Sequence, residues 1–380
     1  MTGFISPFVR KALIGGRDPS IWVLGYVVGV YRLTFKDPVI KFSEILETLR
    51  RRLFISRITT LDEIQASVKD RLQEVRDRLK EVVIEDFPFV ADVADHVIQM
   101  QGKLFRPTLL FLCGHAGGDG NGNASLVPMA LVVELIHTAT LIHDDTIDRA
   151  SLRRGLQTLN ARWNDQVSII MGDYLYSRSL TEMVGVGNQE VLKVISAASR
   201  RIALGEMKEI RLSSCLDVTE EDYLNMIADK TASLLSASCE VGAILGPAEY
   251  REDLRDYGEN LGMVFQITDD IADYMGWEEV MGKPVGTDIR EKKVTLPLIY
   301  TLKRIGPVQR RKLESTFFQD EITDDDVLSI REVIRETGGF DYARQRAVEY
   351  GERAEGHLKA LNDSHWKEAL LSCVTFVVER

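Results

Sequence analysis

The sequence predicts an all-α protein, built as a single large helical bundle, and three observations carry that expectation. From Leu61 onward, Leu61, Ile64, Val68, Leu72, Val75, Leu79 and Val83 recur every three or four residues with charges between them, so one stripe faces a core. Only 10 prolines interrupt 380 residues, and the loops are short and turn-like, as at Gly117–Gly122, Gly185–Gly187 and Gly246-Pro247. No stretch shows the alternation of a half-buried strand.

Taken in order, the first helix runs from Leu61 to about Val83, and further helices are expected at 89–101, 103–116, 125–147, 160–184, 188–212, 219–245, 249–275, 293–305, 324–337, 339–361 and 365–379. Apolar residues make up 45% of the chain, enough for one large core. Residues 61–380 form one catalytic-sized helical domain, and residues 1–60 differ from it in character. That extension holds ten Lys/Arg against Asp18, Asp37, Glu44 and Glu47, and is broken by Pro7, Pro19 and Pro38. It reads as a helical arm, or as a contact with a membrane surface through Trp22, Tyr26 and the flanking cations.

The net charge of −11 argues against nucleic acid as a partner. The four cysteines are scattered, with no metal-type spacing, as in a reducing compartment. The apolar run Ile21–Tyr31 is too short to span a bilayer and lacks a cleavage site. The expectation is a soluble protein of a bacterial cytoplasm, touching a membrane at most peripherally.

Chemistry is concentrated in two echoing motifs, Asp144-Asp145-Thr146-Ile147-Asp148 and Asp269-Asp270-Ile271-Ala272-Asp273. On a helix, positions i, i+1 and i+4 fall within an arc of roughly 100°, so each motif presents three carboxylates on one face. A charged helix end is the plain alternative for one copy. Two copies 125 residues apart, each closing a long apolar run, call for a shared cation. Oxygen-only clusters suit Mg²⁺, which keeps waters and bridges to phosphates.

Candidate cationic partners lie in short, unusual contexts. Lys103 and Arg106 in Gly-Lys-Leu-Phe-Arg-Pro are three apart, hence on one face if helical. Arg153 and Arg154 follow the first motif. Lys230-Thr231 sits among small and apolar residues, where an unpaired lysine is costly. Lys283 and Lys293 follow the second motif. Taken singly, each could be an ordinary surface or loop residue. His137 precedes Asp144 by two helical turns on the same face; a lone histidine there is more often structural than functional.

The order Gly-Lys-x-x-Arg-Pro, His and Asp-Asp-x-x-Asp, Arg-Arg-Gly, Lys-Thr, Gln-x-x-Asp-Asp-x-x-Asp, Gly-Lys-x-x-Gly-x-Asp and Lys-x-Thr-Leu-Pro resembles the trans-isoprenyl diphosphate synthase family over about residues 61–380. The resemblance implies helices around a central cavity and a homodimer. It also implies an activity: addition of isopentenyl diphosphate to an allylic diphosphate by ionisation, condensation and elimination. Three Mg²⁺ ions would bridge the two motifs to the allylic diphosphate. By position, Asp144, Asp148 and Asp269 would be direct ligands, with Asp145, Asp270 and Asp273 in close support. Isopentenyl diphosphate would meet Lys103, Arg106, His137 and Arg154. The allylic diphosphate would meet Arg153, Lys230, Thr231, Gln266, Lys283 and Lys293. One departure is Gln101, where the family usually has a second glycine.

Ala139 and Thr140 bear on product length, since family members that make short products tend to carry bulky aromatics at these positions. Two small residues imply a deep tunnel and a long polyprenyl product, of the kind used for a quinone side chain. A short-chain farnesyl or geranylgeranyl synthase is the alternative. A terpene cyclase would not need Gly-Lys-x-x-Arg-Pro or a second Asp-Asp-x-x-Asp. A non-catalytic subunit would commonly have lost one aspartate motif, and this chain keeps both.

Overall fold

Several helices begin at a capping side chain or a proline. The computed structural model describes residues 60–84, 87–118, 123–275 and 286–379, so the expectations for residues 1–59 and for Lys283 lie outside the described residues. Helix α1 (Leu61–Gln65) starts at Thr60: its hydroxyl accepts from the Glu63 N–H while the Glu63 carboxylate accepts from the Thr60 N–H. A 3₁₀ turn leads into α2 (Lys69–Val83), which buries Leu72, Val75 and Leu79 as the spacing predicts. Proline opens α3 (Pro88–Gln99), where its missing N–H costs nothing. Helices α4 (Phe105–Gly114) and α5 (Leu126–Ile147) follow.

Helix α5 is the axis of the bundle. Its apolar residues face almost every direction, and it alone among the described residues is long and apolar enough to cross a membrane. Its apolar window is 67% buried, as expected of a core helix.

A two-residue hairpin comes next, with β1 (Leu152–Arg153) antiparallel to β2 (Leu156–Gln157). Its turn holds Arg154 and Gly155 at φ 53° and 79°. Two successive positive values are what a type I′ turn demands. Strands this short leave no alternation to read, so no residue pattern signals them. The helix expected over 160–184 is split at Trp163 and Asn164 into α6 (Leu159–Arg162) and α7 (Asp165–Val186), because the Asn164 side chain caps a new start by accepting from Val167 N–H.

Helix α8 is Gln189–Leu212. The helix expected over 219–245 is three pieces: α9 (Glu220–Ile227), a π-helical turn (Ala228–Ala232) and α10 (Ser233–Leu245). Then come α11 (Arg251–Met275) and α12 (Thr287–Arg290). Helix α13 (Leu296–Leu302) starts later than 293, since Thr295 is extended and Pro297 occupies the first turn. Helix α14 (Pro307–Phe317) was not expected: only Leu313 and Phe317 are buried, so its apolar stripe is too thin to read. Helices α15 (Asp324–Glu336), α16 (Gly339–His357) and α17 (His365–Val378) complete the described chain.

Packing places α7 along α5, α16 along α11, and α10 between α4 and α11. The C-terminal ends of α5 and α11, which carry the two aspartate motifs, both line one cavity of about 1200 Å³.

Candidate active site

The cavity brings most of the expected residues together. Asp144 and Asp148 from α5 line it, as do Asp269, Asp270 and Asp273 from α11, and between them lie Lys230, Thr231, Gln266 and Lys293. Arg106, His137, Arg153 and Arg154 line the same cavity.

At the acidic part, Lys230 leaves the π turn and meets Glu206 at 2.7 Å, Glu209 in a short hydrogen bond, and Asp144 at 3.9 Å. The cost of burying this lysine is met by Glu206 and Glu209, which the sequence reading missed. A signal existed: they sit three apart on a helix, on one face, and a buried lysine needs a counter-charge. Burial would lower the Lys230 pKa, but Asp144, Glu209 and Glu206 raise it overall. Lys293 pairs with Asp148 at 2.9 Å and Glu291 at 2.8 Å. Burial pushes the Asp144 carboxyl up to about 7, with Glu206, Glu209 and Asp148 adding to the rise and Lys230 opposing it.

On the α11 side the carboxylates are propped from behind. The Tyr223 hydroxyl donates to Asp270 Oδ2 at 2.6 Å, and Gln266 Nε2 donates to Asp270 Oδ1 at 2.6 Å. Thr231 in turn donates to Gln266 Oε1 at 2.6 Å, so the π turn and α11 are tied by one chain of bonds. Burial raises Asp270 to about 7 despite the bonds from Tyr223 and Gln266. The Asp288 N–H donates to Asp273 Oδ2 at 3.1 Å. Burial and the neighbouring Asp273 and Asp270 hold Asp288 itself well above the usual carboxylate range. Tyr223 had no motif to betray it, whereas Asp288 closes the Gly-Lys-x-x-Gly-x-Asp element of the sequence.

The cationic part is built from α4, α5 and the hairpin. Burial, followed by the charge of Arg154, lowers Arg106 to about 10 although Glu134 opposes. The Arg106 Nε is buried without a hydrogen-bond partner, an unmet donor beside the cavity. Arg154 donates from Nη1 to the Met100 carbonyl at 2.6 Å. Burial and the charges of Arg106, Arg154 and Arg153 hold His137 well below 6.5, so it stands as a neutral imidazole.

Three of the expected residues lie off the cavity wall. Asp145 does not line the cavity; it is 3% exposed and takes Arg153 Nε and Nη2 at 2.7 Å each, a buried pair that anchors the arginine. Lys103 is not on a helix with Arg106, because α4 begins only at Phe105, after Leu104 at φ 54°. Lys103 is exposed and absent from the cavity wall. Ala139 is 2% exposed and packs into the core, while Thr140, one residue on, lines the cavity. Helix rotation of 100° per residue separates the two.

The acidic set fits Mg²⁺ in donor type, being carboxylate oxygen throughout. Among the described residues no three acidic, histidine or cysteine side chains converge closely enough to enclose an ion by themselves. Facing carboxylate walls of this kind suit ions whose remaining ligands are water and substrate oxygens. The Asp144 and Asp270 carboxyls are raised chiefly by burial, with neighbouring carboxylates adding to the rise, and a divalent ion would favour their charged forms.

Residues 87–334 match the model of the polyprenyl synthetase family. This chain belongs to that family. It is 34% identical over 303 residues to an all-trans-nonaprenyl-diphosphate synthase (geranyl-diphosphate specific) of Rhodobacter capsulatus, covering 80% of this chain and 92% of the relative. It is also 34% identical over 314 residues to a short chain isoprenyl diphosphate synthase of Methanothermobacter thermautotrophicus, covering 81% and 94%. Among solved structures, the polyprenyl synthase of Caulobacter crescentus, complexed with calcium and isoprenyl diphosphate, aligns with a TM-score of 0.79 at 33% identity. That alignment covers 84% of this chain and 98% of the other. The family is one of all-α prenyltransferases, and the fold described above is theirs.

Proposed function

We propose that this enzyme elongates an allylic diphosphate with isopentenyl diphosphate and releases a long-chain polyprenyl diphosphate. The observation that carries the reading is the cavity itself, with carboxylates of α5 and α11 in one wall system and arginines with a neutral histidine in another.

Arg106, Arg154 and His137 bind and orient isopentenyl diphosphate, with the neutral imidazole serving as hydrogen-bond partner rather than as a charge. Lys230, Lys293, Thr231, Gln266 and Arg153 hold the allylic diphosphate and stabilise the charge it gains on leaving. Lys283 is assigned to the same group. The ion-binding set is Asp144, Asp148, Asp269 and Asp273, with Asp270 in support and Asp145 holding Arg153. Bound Mg²⁺, three ions by family, supplies electrostatic neutralisation of the diphosphates. The apolar side chains Ile136, Leu141, Ile202 and Phe265 on the wall exclude water from a reactive allylic cation.

Two features support a long product. Thr140, a small residue, lines the cavity one turn below Asp144, where a bulky aromatic would fill it. A longer tail has an apolar path onward, since Ile169, Met207 and Ile210 line the cavity and are 44%, 67% and 57% exposed.

The test is turnover of the purified protein with Mg²⁺, radiolabelled isopentenyl diphosphate and a set of primers, read by product size. Products longer than C20 are expected; C15 or C20 alone would move the protein to the short-chain class, and no turnover would sink the reading.

A further inference from the structure

A hairpin of two residue pairs is not stable by itself, and this one must also hold a non-glycine residue, Arg154, at φ 53°. Something outside it must over-determine its shape. One end is closed locally: the Ala150 carbonyl accepts from Thr158 Oγ1 at 2.6 Å and from Asn160 Nδ2 at 3.0 Å. That same end, where Gln157 pairs with Leu152, is also held by a histidine far away in sequence. His96, on α3, is 4% exposed; its Nε2 lies 2.7 Å from the Gln157 carbonyl on β2 and its Nδ1 lies 2.8 Å from Arg162 Nη1. A guanidinium can only donate, so Nδ1 accepts, which fixes the proton on Nε2 and makes it the donor to Gln157. Trp163 packs edge-on to the imidazole at 5.5 Å between centroids and carries the Arg162 guanidinium over its face at 4.6 Å.

We infer that His96, which is not on the cavity wall, is the positioning residue that keeps the hairpin in the shape that aims Arg154 at isopentenyl diphosphate. The chain of action runs from Arg162 to His96, to the Gln157 carbonyl, and through the type I′ turn to Arg154. Arg153 is secured separately by Asp145, so the effect falls on the isopentenyl end. The inference rests on the proposed role of Arg154.

His96→Leu and His96→Gln test it. Glutamine can still donate from its amide nitrogen to Gln157 and accept from Arg162 through its oxygen, whereas leucine can do neither. Three quantities are measured: hydrogen exchange of residues 150–158, KM for isopentenyl diphosphate, and KM for the allylic primer with kcat. In His96→Leu, hairpin exchange and the isopentenyl KM are each expected to rise about tenfold, the loss of one buried hydrogen bond, while kcat and the allylic KM stay within about twofold. His96→Gln is expected to recover most of both losses. Unchanged hairpin exchange in His96→Leu overturns the inference, as does faster exchange spread evenly over the fold, which would mark a merely structural histidine. Absence of turnover in the wild type would fail the proposed activity instead, and the exchange measurement would still judge the role of His96.

Discussion

Replacing Lys230 with methionine keeps most of the side-chain volume and removes the charge. In the structure that charge answers Glu206, Glu209 and Asp144, whose side chains are only 16%, 15% and 21% exposed. A hydrogen bond to a charged group is worth about 1.5–3 kcal/mol, so losing two would cost about 3–6 kcal/mol. The stranded carboxylates can take up a proton, as Asp144 is already poised to do with a pKa of about 7. That relief, together with the avoided burial of the ammonium, brings the expected loss to about 3 kcal/mol in urea unfolding with chelator present. Mg²⁺ should bind the variant more readily than the wild type, because the ammonium no longer repels it. Saturating Mg²⁺ stabilises both proteins, so the deficit shrinks by RT ln of the ratio of their affinities, about 1.4 kcal/mol for a variant that binds tenfold more tightly. The deficit in stability should therefore shrink by about half when Mg²⁺ is added, while prenyl transfer stays at least about a hundredfold below wild type with its diphosphate clamp missing. An equal deficit with and without Mg²⁺ would refute the reasoning, for it would mean that the acidic walls do not share a cation-binding space.

Other perturbations follow from the same geometry. Thr140→Phe should floor the cavity one turn below Asp144 and shift products to C20 or shorter in the radiolabelled assay; an unchanged product ladder would place the floor elsewhere. Gly102→Ala would bring a Cβ to 2.7 Å from Arg154 Nη2. The guanidinium can swing away, so the melting temperature should hold while KM for isopentenyl diphosphate rises several-fold, about 1 kcal/mol of binding. For His137, burial and three arginines hold the folded pKa well below 6.5. The unfolded chain therefore takes up a proton near 6.5 that the folded one refuses, so stability is full above that pH and declines as pH falls through it. Urea unfolding between about pH 7.5 and 5.5 should show a steeper loss in wild type than in His137→Gln; equal slopes would contradict the assignment.

Much of the site was legible because its groups come in sequence-local sets. Asp-Asp-x-x-Asp is read directly from helical geometry, and Arg-Arg-Gly announced both arginines even though the hairpin under them was invisible. What escaped notice was whatever acts across sequence distance. Glu206 and Glu209 gain meaning only opposite Lys230, Tyr223 only beneath Asp270, and His96 only against Gln157, which lies 61 residues away. Lys103 and Asp145 are named by their motifs, and packing decides where they sit: a helix start at Phe105 leaves one exposed and a buried ion pair claims the other.

The sequence by itself therefore determined the helical architecture, the two carboxylate triads and the class of chemistry, since periodicity and i, i+1, i+4 spacing are properties of one helix at a time. Tertiary structure alone decided which members of each motif face the cavity and how the buried lysine is neutralised. Those outcomes depend on helix rotation and on partners brought together by packing, and a rotation of one residue, about 100°, is enough to turn a cavity wall into core.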